Sequence, residues 1–356
     1  MKQMQATETI NARPGDELPA QLEGYLRDKL QISADEPYQV RQFPGGYSNL
    51  TYLIRFGDQG FVLRRPPRGT KAKSAHDMGR EFTVLSKLQG QFAVCPKPLL
   101  YSEDESLIGS PFYVMSLIPG LIIRKNLPEN ISPQQYAEQV KNMIQWQAKL
   151  HSLDPQKLGL EDFGHLEGYV ARQVSGWSKR YLAVRTDDAP DFEEVMTWLA
   201  SHVDEIKSPR ASLIHNDFKL DNLVFDPENP AQVIGVLDWE MATIGDPWMD
   251  LGCSLAYWVQ ADDPAYLQAM RTLPSHLKDA PSRLQQLAIY EEASGYRVDN
   301  WHFYYTFGLF RLAVIAQQIY YRYAHGQTQD ERFAQLIHGV RALEKAAQLA
   351  KKKQLQ

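Results

Sequence analysis

Residues 212–240 read SLIHNDFKLDNLVFDPENPAQVIGVLDWE. An apolar run at 212–214 leads into the polar segment 215–222, and a second apolar run follows at 223–225. The turn-forming residues 226–230 then precede a third apolar run, which ends at Asp238. Short apolar runs separated by Asp, Asn and Pro are typical of strands joined by tight turns. The stretch therefore predicts a polar loop, a β-hairpin and a strand that ends in a carboxylate.

Three polar side chains in this stretch have the spacing of a phosphoryl-transfer site. Asp217 and Asn222 are five residues apart, and Asp238 follows sixteen residues after Asn222. Transfer from ATP uses one Asp to orient the attacking hydroxyl and accept its proton, and an Asn and a second Asp to hold magnesium against the phosphates. A His-x-Asp tripeptide alone, or an Asp–Asn pair alone, is more often structural than part of a catalytic or metal site. In this order they predict Asp217 as the catalytic base and Asn222 and Asp238 as ligands of Mg²⁺.

The composition is that of an ordinary globular chain. Its 356 residues are 44% hydrophobic and 23% charged, and a chain of this length and composition can form two lobes with substantial cores. The net charge of −5 gives no general attraction for nucleic acid. The N-terminus is too polar for a signal peptide, and the most apolar late run is interrupted by Arg311 and too short for a membrane span. With two cysteines and no disulfide framework, we expect a cytoplasmic protein without nucleic-acid or membrane partners; a homodimer is left open.

The order of elements predicts an α+β fold of two lobes. Apolar residues at helical spacing indicate a leading helix within residues 1–34. Five short runs rich in β-formers predict strands, at 38–43, 51–56, 60–65, 98–101 and 112–117. With a helix from near Ser74 to Leu88, they form a small lobe over residues 35–117. Residues 118–356 are mostly helical, beginning with the capping sequence at Ser132, and would carry the loop at 215–222.

A glycine-rich segment between the first two predicted strands is a candidate phosphate cradle. Gly45 and Gly46 let main-chain N–H groups approach the phosphates, and Ser48 and Asn49 add donors. Taken alone, this segment is more often a tight hairpin turn without a ligand. Its position in the small lobe favours nucleotide binding.

Further residues of the small lobe are predicted to bind ATP. The third strand carries Arg64 where protein kinases have a phosphate-binding lysine, so we expect Arg64 to contact phosphate and to pair with Glu81 on the helix. Arg keeps the charge of Lys but prefers bidentate geometry. By strand alternation Arg65 should point to the surface. Met115, near the end of the last strand, is placed to bind adenine through its backbone.

Four segments carry a family resemblance: GGYSNLTY at 45–52, FVLRRPP at 61–67, HNDFKLDNLVFD at 215–226 and VLDWEMATIGDPWMDLG at 236–252. They resemble the aminoglycoside phosphotransferase-like, or kinase-like, family, and more closely a subfamily with a relative fused to acyl-CoA dehydrogenases in animals. The resemblance covers about residues 35–345. It implies a protein-kinase-like fold and ATP-dependent phosphorylation of a small-molecule hydroxyl.

The resemblance also implies roles around the loop. His215 would support the loop by hydrogen bonding, and Asp246 and Asp250 would brace it and cap the next helix. Lys219 is predicted to neutralise charge on the transferring phosphoryl group, with a solvent-facing loop lysine as the alternative. Asn216 stands where the broader family has Gly, and Asn tolerates unusual backbone conformations better than most residues.

The candidate acceptor residues are Trp177, Arg180 and Arg311. Trp177 and Arg180 share one face of a predicted helix, and Arg311 lies on another. Aromatic stripes on such helices are more often core than pocket, but buried arginines need partners. Cations suit an anionic acceptor such as a hydroxy acid or a hydroxyacyl-CoA. A polycationic aminoglycoside would instead need carboxylates, for which 187–188 and 291–292 are the candidates.

Two other functions remain open, and a third is disfavoured. The chain is compatible with a kinase for aminoglycosides or other amino alcohols, and with an ATP-binding scaffold that transfers nothing. A regulatory protein kinase is disfavoured, because the short segment between Asp238 and Asp246 leaves no room for a long activation loop.

Overall fold

The computed structural model describes residues 11–13, 16–44, 49–67 and 77–355. The first part of the chain contains, in order, α1 (Gln21–Leu30), β1 (Tyr38–Gln42), β2 (Leu50–Phe56), β3 (Gln59–Arg65), α2 (Met78–Leu88), β4 (Pro98–Ser102), α3 (Glu105–Ile108) and β5 (Phe112–Ser116). The rest contains α4 (Pro133–Ser152), α5 (Pro155–Leu158), α6 (Tyr169–Val184), α7 (Glu193–His202), β6 (Ser212–Ile214), β7 (Leu223–Phe225), β8 (Val233–Val236), β9 (Thr243–Gly245), α8 (Pro247–Ala256), α9 (Ala265–Gln268), α10 (Arg283–Ser294), α11 (Trp301–Ala324) and α12 (Leu336–Lys351).

The chain divides into two compact units. A β-rich unit comprises residues 1–122 and 222–242, and a helical unit comprises residues 123–221 and 243–356. The chain therefore passes from the helical unit to the β-rich unit between Asp221 and Asn222, inside the motif from which the site is predicted. The hairpin of β7 and β8, assigned by sequence to the larger lobe, belongs to the β-rich unit.

The β-rich unit is built on an antiparallel sheet with strand order β1-β2-β3-β5-β4. Leu22 and Leu26 of α1 are fully buried in the same core as Tyr52 and Ile54 of β2, so the leading helix is part of this unit. Helix α2 starts at Met78, where the Asp77 side chain accepts a hydrogen bond from the backbone of the first turn. The predicted earlier start near Ser74 lies outside the described residues.

The prediction that Arg65 faces solvent is wrong. Strand β3 is the central strand of the sheet, and its residues 62–65 are buried on both faces. The Arg65 guanidinium donates to the carbonyl oxygens of Pro66 and of Ile108 in α3, at 3.2 and 2.8 Å. Alternation places Arg64 and Arg65 on opposite faces, but helices cover the second face as well as the first.

Two close helix contacts organise the helical unit. Helix α4 begins with the predicted capping box, in which the side chains of Ser132 and Gln135 each accept from the other residue's backbone. Helices α8 and α11 cross at Gly252 and Gly308, where a Cβ on Gly308 would overlap the carbonyl oxygen of Gly252. Only glycine permits backbones to approach so closely.

Strands β6 and β9 pair antiparallel, with Ser212 opposite Gly245. This pairing brings the chain leading into the 215–222 loop beside the start of α8. Within the described ranges, no helix is both long and apolar enough to cross a membrane.

Candidate functional site

On the β-rich unit, Arg64 is the centre of a carboxylate network. It pairs with Glu81 of α2 through one guanidinium nitrogen, and with Asp238 and Glu240 through the other, at 3.0 and 3.2 Å. Asp238 and Glu240 lie in the turn that follows β8. Burial opposes the charge of Arg64, but these carboxylates raise its pKa well above the ordinary value. The network therefore keeps a permanent cation at the predicted phosphate-binding position.

Glu81 and Asn49 join the same network. Glu81 is almost fully buried, and burial raises its pKa although Arg64 acts in the opposite direction. Asn49 is also buried, and its amide donates to Glu240 Oε2 at 2.7 Å. Glu240 was not singled out from the sequence, although it follows Asp238 by only two residues. Gly45, Gly46 and Ser48, the other predicted cradle residues, lie outside the described residues.

The predicted magnesium ligands are brought to one end of the β7–β8 hairpin. The Leu237 backbone N–H donates to the Asn222 carbonyl at 2.8 Å, so Asp238 directly follows the residue that is paired with Asn222. Asp238 has a left-handed backbone, with φ 68°, and a partly exposed carboxylate.

The donor set fits a magnesium–nucleotide complex. Asn222 and Asp238 offer the hard oxygen atoms that Mg²⁺ prefers. Nowhere in the described residues do three or more His, Cys, Asp or Glu side chains form a site for a metal on their own. A magnesium ion at this hairpin would thus depend on phosphate oxygens to complete its coordination, as is usual for magnesium bound with nucleotides.

Met115 lies in β5 between two neighbouring strands. It is opposite Val62 of β3 and Pro98 of β4, one residue before the strand ends. Its proposed contact with adenine through the backbone stays a prediction.

In the helical unit, Asp250 of α8 anchors the backbone of the predicted catalytic loop. Its carboxylate accepts from the N–H groups of His215 and Asn216, at 3.0 and 2.7 Å. The same carboxylate lies 3.0 Å from Nε2 of His151, whose Nδ1 lies 2.8 Å from the Tyr290 hydroxyl. Burial alone would raise the pKa of Asp250, but the hydrogen bond and charge of His151, together with His215, lower it.

The loop itself follows the predicted pattern. Asn216 has φ 66°, the left-handed conformation that Asn tolerates. The backbone N–H of Asp217 donates to Nδ1 of the buried His215 at 3.3 Å, which is a supporting contact. Asp246 is the N-cap of α8 and accepts from the N–H groups of Trp248 and Met249. These residues therefore occupy the supporting positions that the resemblance implies.

Asp217 has a lysine as its direct neighbour. Lys219 Nζ lies 3.2 Å from Asp217 Oδ2 and 3.7 Å from Asp221 Oδ2, and 4.5 Å from the ring centre of Tyr257. Burial opposes its charge, but Tyr257, Asp217 and Asp221 outweigh burial and raise the pKa of Lys219. With 17% of its side chain exposed, Lys219 is not a solvent-facing lysine. Asp221 and Tyr257 were not predicted from sequence.

The three predicted acceptor residues meet at one indole ring. Trp177 of α6 is buried, and the guanidinium groups of Arg180 and Arg311 lie 4.8 and 5.1 Å from its ring centre. Arg180 is exposed and Arg311 is buried. Burial opposes the charge of Arg311, but its neighbours, Asp217 among them, raise its pKa. Trp177 is thus a core residue, as expected for such a helix, and it has two guanidinium groups beside its ring, of which Arg311 is close enough to Asp217 to interact with its charge.

A family model and several known proteins match this chain. The model of the phosphotransferase enzyme family, APH, matches residues 39–287. Mouse acyl-CoA dehydrogenase family member 10 is 37% identical over 311 residues, which cover 87% of this chain and 29% of that protein. Human acyl-CoA dehydrogenase family member 11 is 36% identical over 316 residues, which cover 87% of this chain and 40% of that protein. The chain therefore spans less than half the length of these relatives.

Solved structures show the same fold. A Ralstonia eutropha protein, provisionally named an aminoglycoside phosphotransferase, has a TM-score of 0.78 and 29% identity, with 95% of this chain and 99% of that chain covered. The aminoglycoside phosphotransferase APH(4)-Ia, in a ternary complex with AMP-PNP and hygromycin B, has a TM-score of 0.58 and 15% identity, with 92% of this chain and 99% of that chain covered. The small antiparallel sheet and the larger set of helices are those of the kinase-like fold.

Proposed function

Since the chain belongs to the phosphotransferase enzyme family, we propose that it transfers the γ-phosphoryl group of ATP to a hydroxyl of an anionic small molecule, a hydroxy acid or a hydroxyacyl-CoA. The observation that carries the acceptor class is the set of cations around Asp217. Lys219 is in direct contact with it, and Arg311 is close enough for the charge of Asp217 to raise its pKa.

In the proposed reaction, Asp217 orients the acceptor hydroxyl and accepts its proton. The acceptor oxygen bonds to the γ-phosphorus, the bond from that phosphorus to the β–γ bridging oxygen breaks, and ADP leaves. Lys219, held beside Asp217, neutralises charge on the transferring group. Asp250 keeps the loop backbone in position for this step.

Nucleotide binding is proposed to depend on charged and polar side chains of the β-rich unit. Arg64, fixed by Glu81 and Glu240, would contact the phosphates, and Asn222 and Asp238 would hold Mg²⁺. Magnesium, when bound, supplies neutralising charge to the phosphate oxygens.

A polycationic acceptor is less compatible with this arrangement. It would meet Lys219, Arg180 and Arg311, and like charges at close range disfavour binding. Two of the four carboxylates that the sequence offered in compensation make other contacts: Asp188 accepts from the Tyr320 hydroxyl, and Glu291 accepts from the Val298 backbone.

The test is ADP release with Mg-ATP across hydroxy acids, hydroxyacyl-CoAs, aminoglycosides, choline and sugars. We expect turnover with an anionic class, and a loss of about 10²- to 10⁴-fold in Asp217→Asn, the range for removal of a general base. Asp204→Asn, at an exposed position of the same unit, is the matched control and should retain activity. Turnover confined to aminoglycosides would refute the acceptor class. Binding of Mg-ATP without any phosphorylated product would favour the scaffold.

A further inference from the structure

The helical unit contains a cavity of about 470 Å³ that the proposed chemistry does not use. It lies among the end of α8, the segment that follows it, α11 and α12. Its walls are mainly apolar and include Met270, Leu309, Leu312 and Leu343. A volume within the 300–1,000 Å³ range of small-molecule pockets, with a hydrocarbon lining, indicates a site for an apolar group.

Tyr257 links this cavity to the predicted catalytic loop. Tyr257 is one of the residues that line the cavity. Its ring centre lies 4.5 Å from Lys219 Nζ. Burial raises the pKa of the Tyr257 hydroxyl, and the nearby charge of Asp217 acts in the same direction. A residue of the cavity lining is therefore in contact with Lys219, which is itself paired with Asp217.

The one carboxylate in the cavity wall is already neutralised. Asp263 forms two hydrogen bonds of 2.7 Å with the guanidinium of Arg283, and both residues are buried. Arg283 also lies over the ring of Tyr305, which is another part of the wall. The paired charges do not oppose an apolar occupant.

From these observations we infer that the cavity binds the hydrocarbon tail of the phosphate acceptor while its hydroxyl lies at Asp217. The inference rests on the proposed function and specifies its substrate class: an unbranched chain on the order of ten carbons. The volume of about 470 Å³ is some three times the roughly 150 Å³ that accommodates one benzene ring in an apolar cavity.

Gly339 of α12 provides a way to shorten the cavity. It is part of the lining, and an added Cβ would lie 3.4 Å from the terminal methyl of Met270, the end of a flexible side chain. A leucine at this position would occupy the volume of about four chain carbons. Gly24→Leu is the matched control, because a Cβ on Gly24 in α1 would meet nothing within 4 Å.

The experiment has a catalytic and a binding arm. In the first, kcat/KM is measured for hydroxy acids with a fixed hydroxyl position and four to twelve carbons. Wild type should gain about fourfold per methylene until the cavity is full, from the free energy of burying one methylene. Gly339→Leu should lower the ratio of ten-carbon to four-carbon kcat/KM by on the order of 100-fold. Leu343→Ala should move the optimum to a longer chain, and Gly24→Leu should match wild type.

The binding arm uses decanoate, which has no hydroxyl and needs no catalysis. Calorimetry should show decanoate binding to wild type and to Gly24→Leu. For Gly339→Leu, the dissociation constant should be at least tenfold higher. No binding to wild type, or equal binding to wild type and Gly339→Leu, would overturn the inference. Decanoate binding that depends on Gly339, without phosphorylation of any acceptor, would refute the proposed function and leave the apolar site standing.

Discussion

Replacement of Asp250 by Asn tests whether this buried carboxylate holds the predicted catalytic loop. Asp250 is fully buried, and its two oxygens receive three contacts: the N–H of Asn216 at 2.7 Å, and the N–H of His215 and Nε2 of His151 at 3.0 Å each. The substitution changes shape very little. It removes the charge and replaces one acceptor oxygen by an NH₂ donor.

The size of the effect follows from these contacts. If the amide oxygen takes the position shared by His215 and His151, the new NH₂ faces the N–H of Asn216. A buried donor left unsatisfied costs about 1–3 kcal/mol, and the two remaining bonds lose their charge assistance. Together these losses approach the 3–5 kcal/mol observed when one partner of a buried ion pair is removed. We therefore expect Asp250→Asn to lower the free energy of unfolding by about 3–5 kcal/mol at pH 7.

The stability lost in Asp250→Asn should decrease at acidic pH. The pKa of Asp250 is lower in the folded protein than in the unfolded chain, so its charge stabilises the fold above the unfolded pKa of about 4. This contribution is lost as pH falls through the lower folded pKa. The difference between wild type and Asp250→Asn should be constant at neutral pH and shrink only below about pH 4.

Urea unfolding followed by far-UV circular dichroism measures this difference, with kcat measured in parallel. A displaced loop should reduce kcat by about 10²-fold, the effect of a misplacement near 1 Å. Asp204→Asn, at an exposed position, should change stability by less than about 0.5 kcal/mol. A loss below about 1 kcal/mol with near-normal kcat in Asp250→Asn would show that the loop does not depend on this carboxylate.

Three further substitutions have distinct expected outcomes. Arg64→Lys keeps the positive charge, but the lysine ammonium cannot contact all three carboxylates that the planar guanidinium pairs with. Kd for Mg-ATP should therefore rise by about tenfold in a calorimetric titration. Gly308→Ala should lower the free energy of unfolding in urea by about 3 kcal/mol, because its Cβ would overlap the Gly252 backbone. Gly176→Ala should be neutral or stabilising, because a Cβ there would lie 3.7 Å from its nearest neighbour, the guanidinium of Arg180. Asn216→Gly should be tolerated, whereas Asn216→Ala should cost about 1 kcal/mol of stability, because its φ of 66° disfavours alanine.

The features predicted correctly from sequence are those that depend on neighbours in the chain. The capping box at Ser132, the hairpin after Asn222 and the left-handed backbone of Asn216 each follow from residues a few positions apart. The pairing of Arg64 with Glu81 also holds, but it was predicted from the position that the phosphate-binding lysine has in protein kinases, not from neighbouring residues.

The features missed depend on packing between distant segments. The sequence distance between Arg65 and its acceptor at Ile108 is 43 residues, and strand alternation contains no information about the helix that covers that face. Likewise His151 reaches Asp250 across 99 residues, and no local pattern links them. Tyr257 follows the end of α8 and gave no signal, because its importance depends on the position of Lys219.

The packing of α8 against α11 connects the loop to the acceptor residues. Asp250, which holds the loop, lies two residues before Gly252, and Arg311 lies three residues after Gly308, at the point where the two backbones touch. Leu312, the next residue of α11, lines the apolar cavity. A site is most precise when it is built on rigid elements, and one helix pair here positions the predicted base, a cation and the cavity together. Gly308→Ala should consequently change kcat and the acceptor KM together, while nucleotide affinity, which we propose to depend on the network around Arg64, should stay constant.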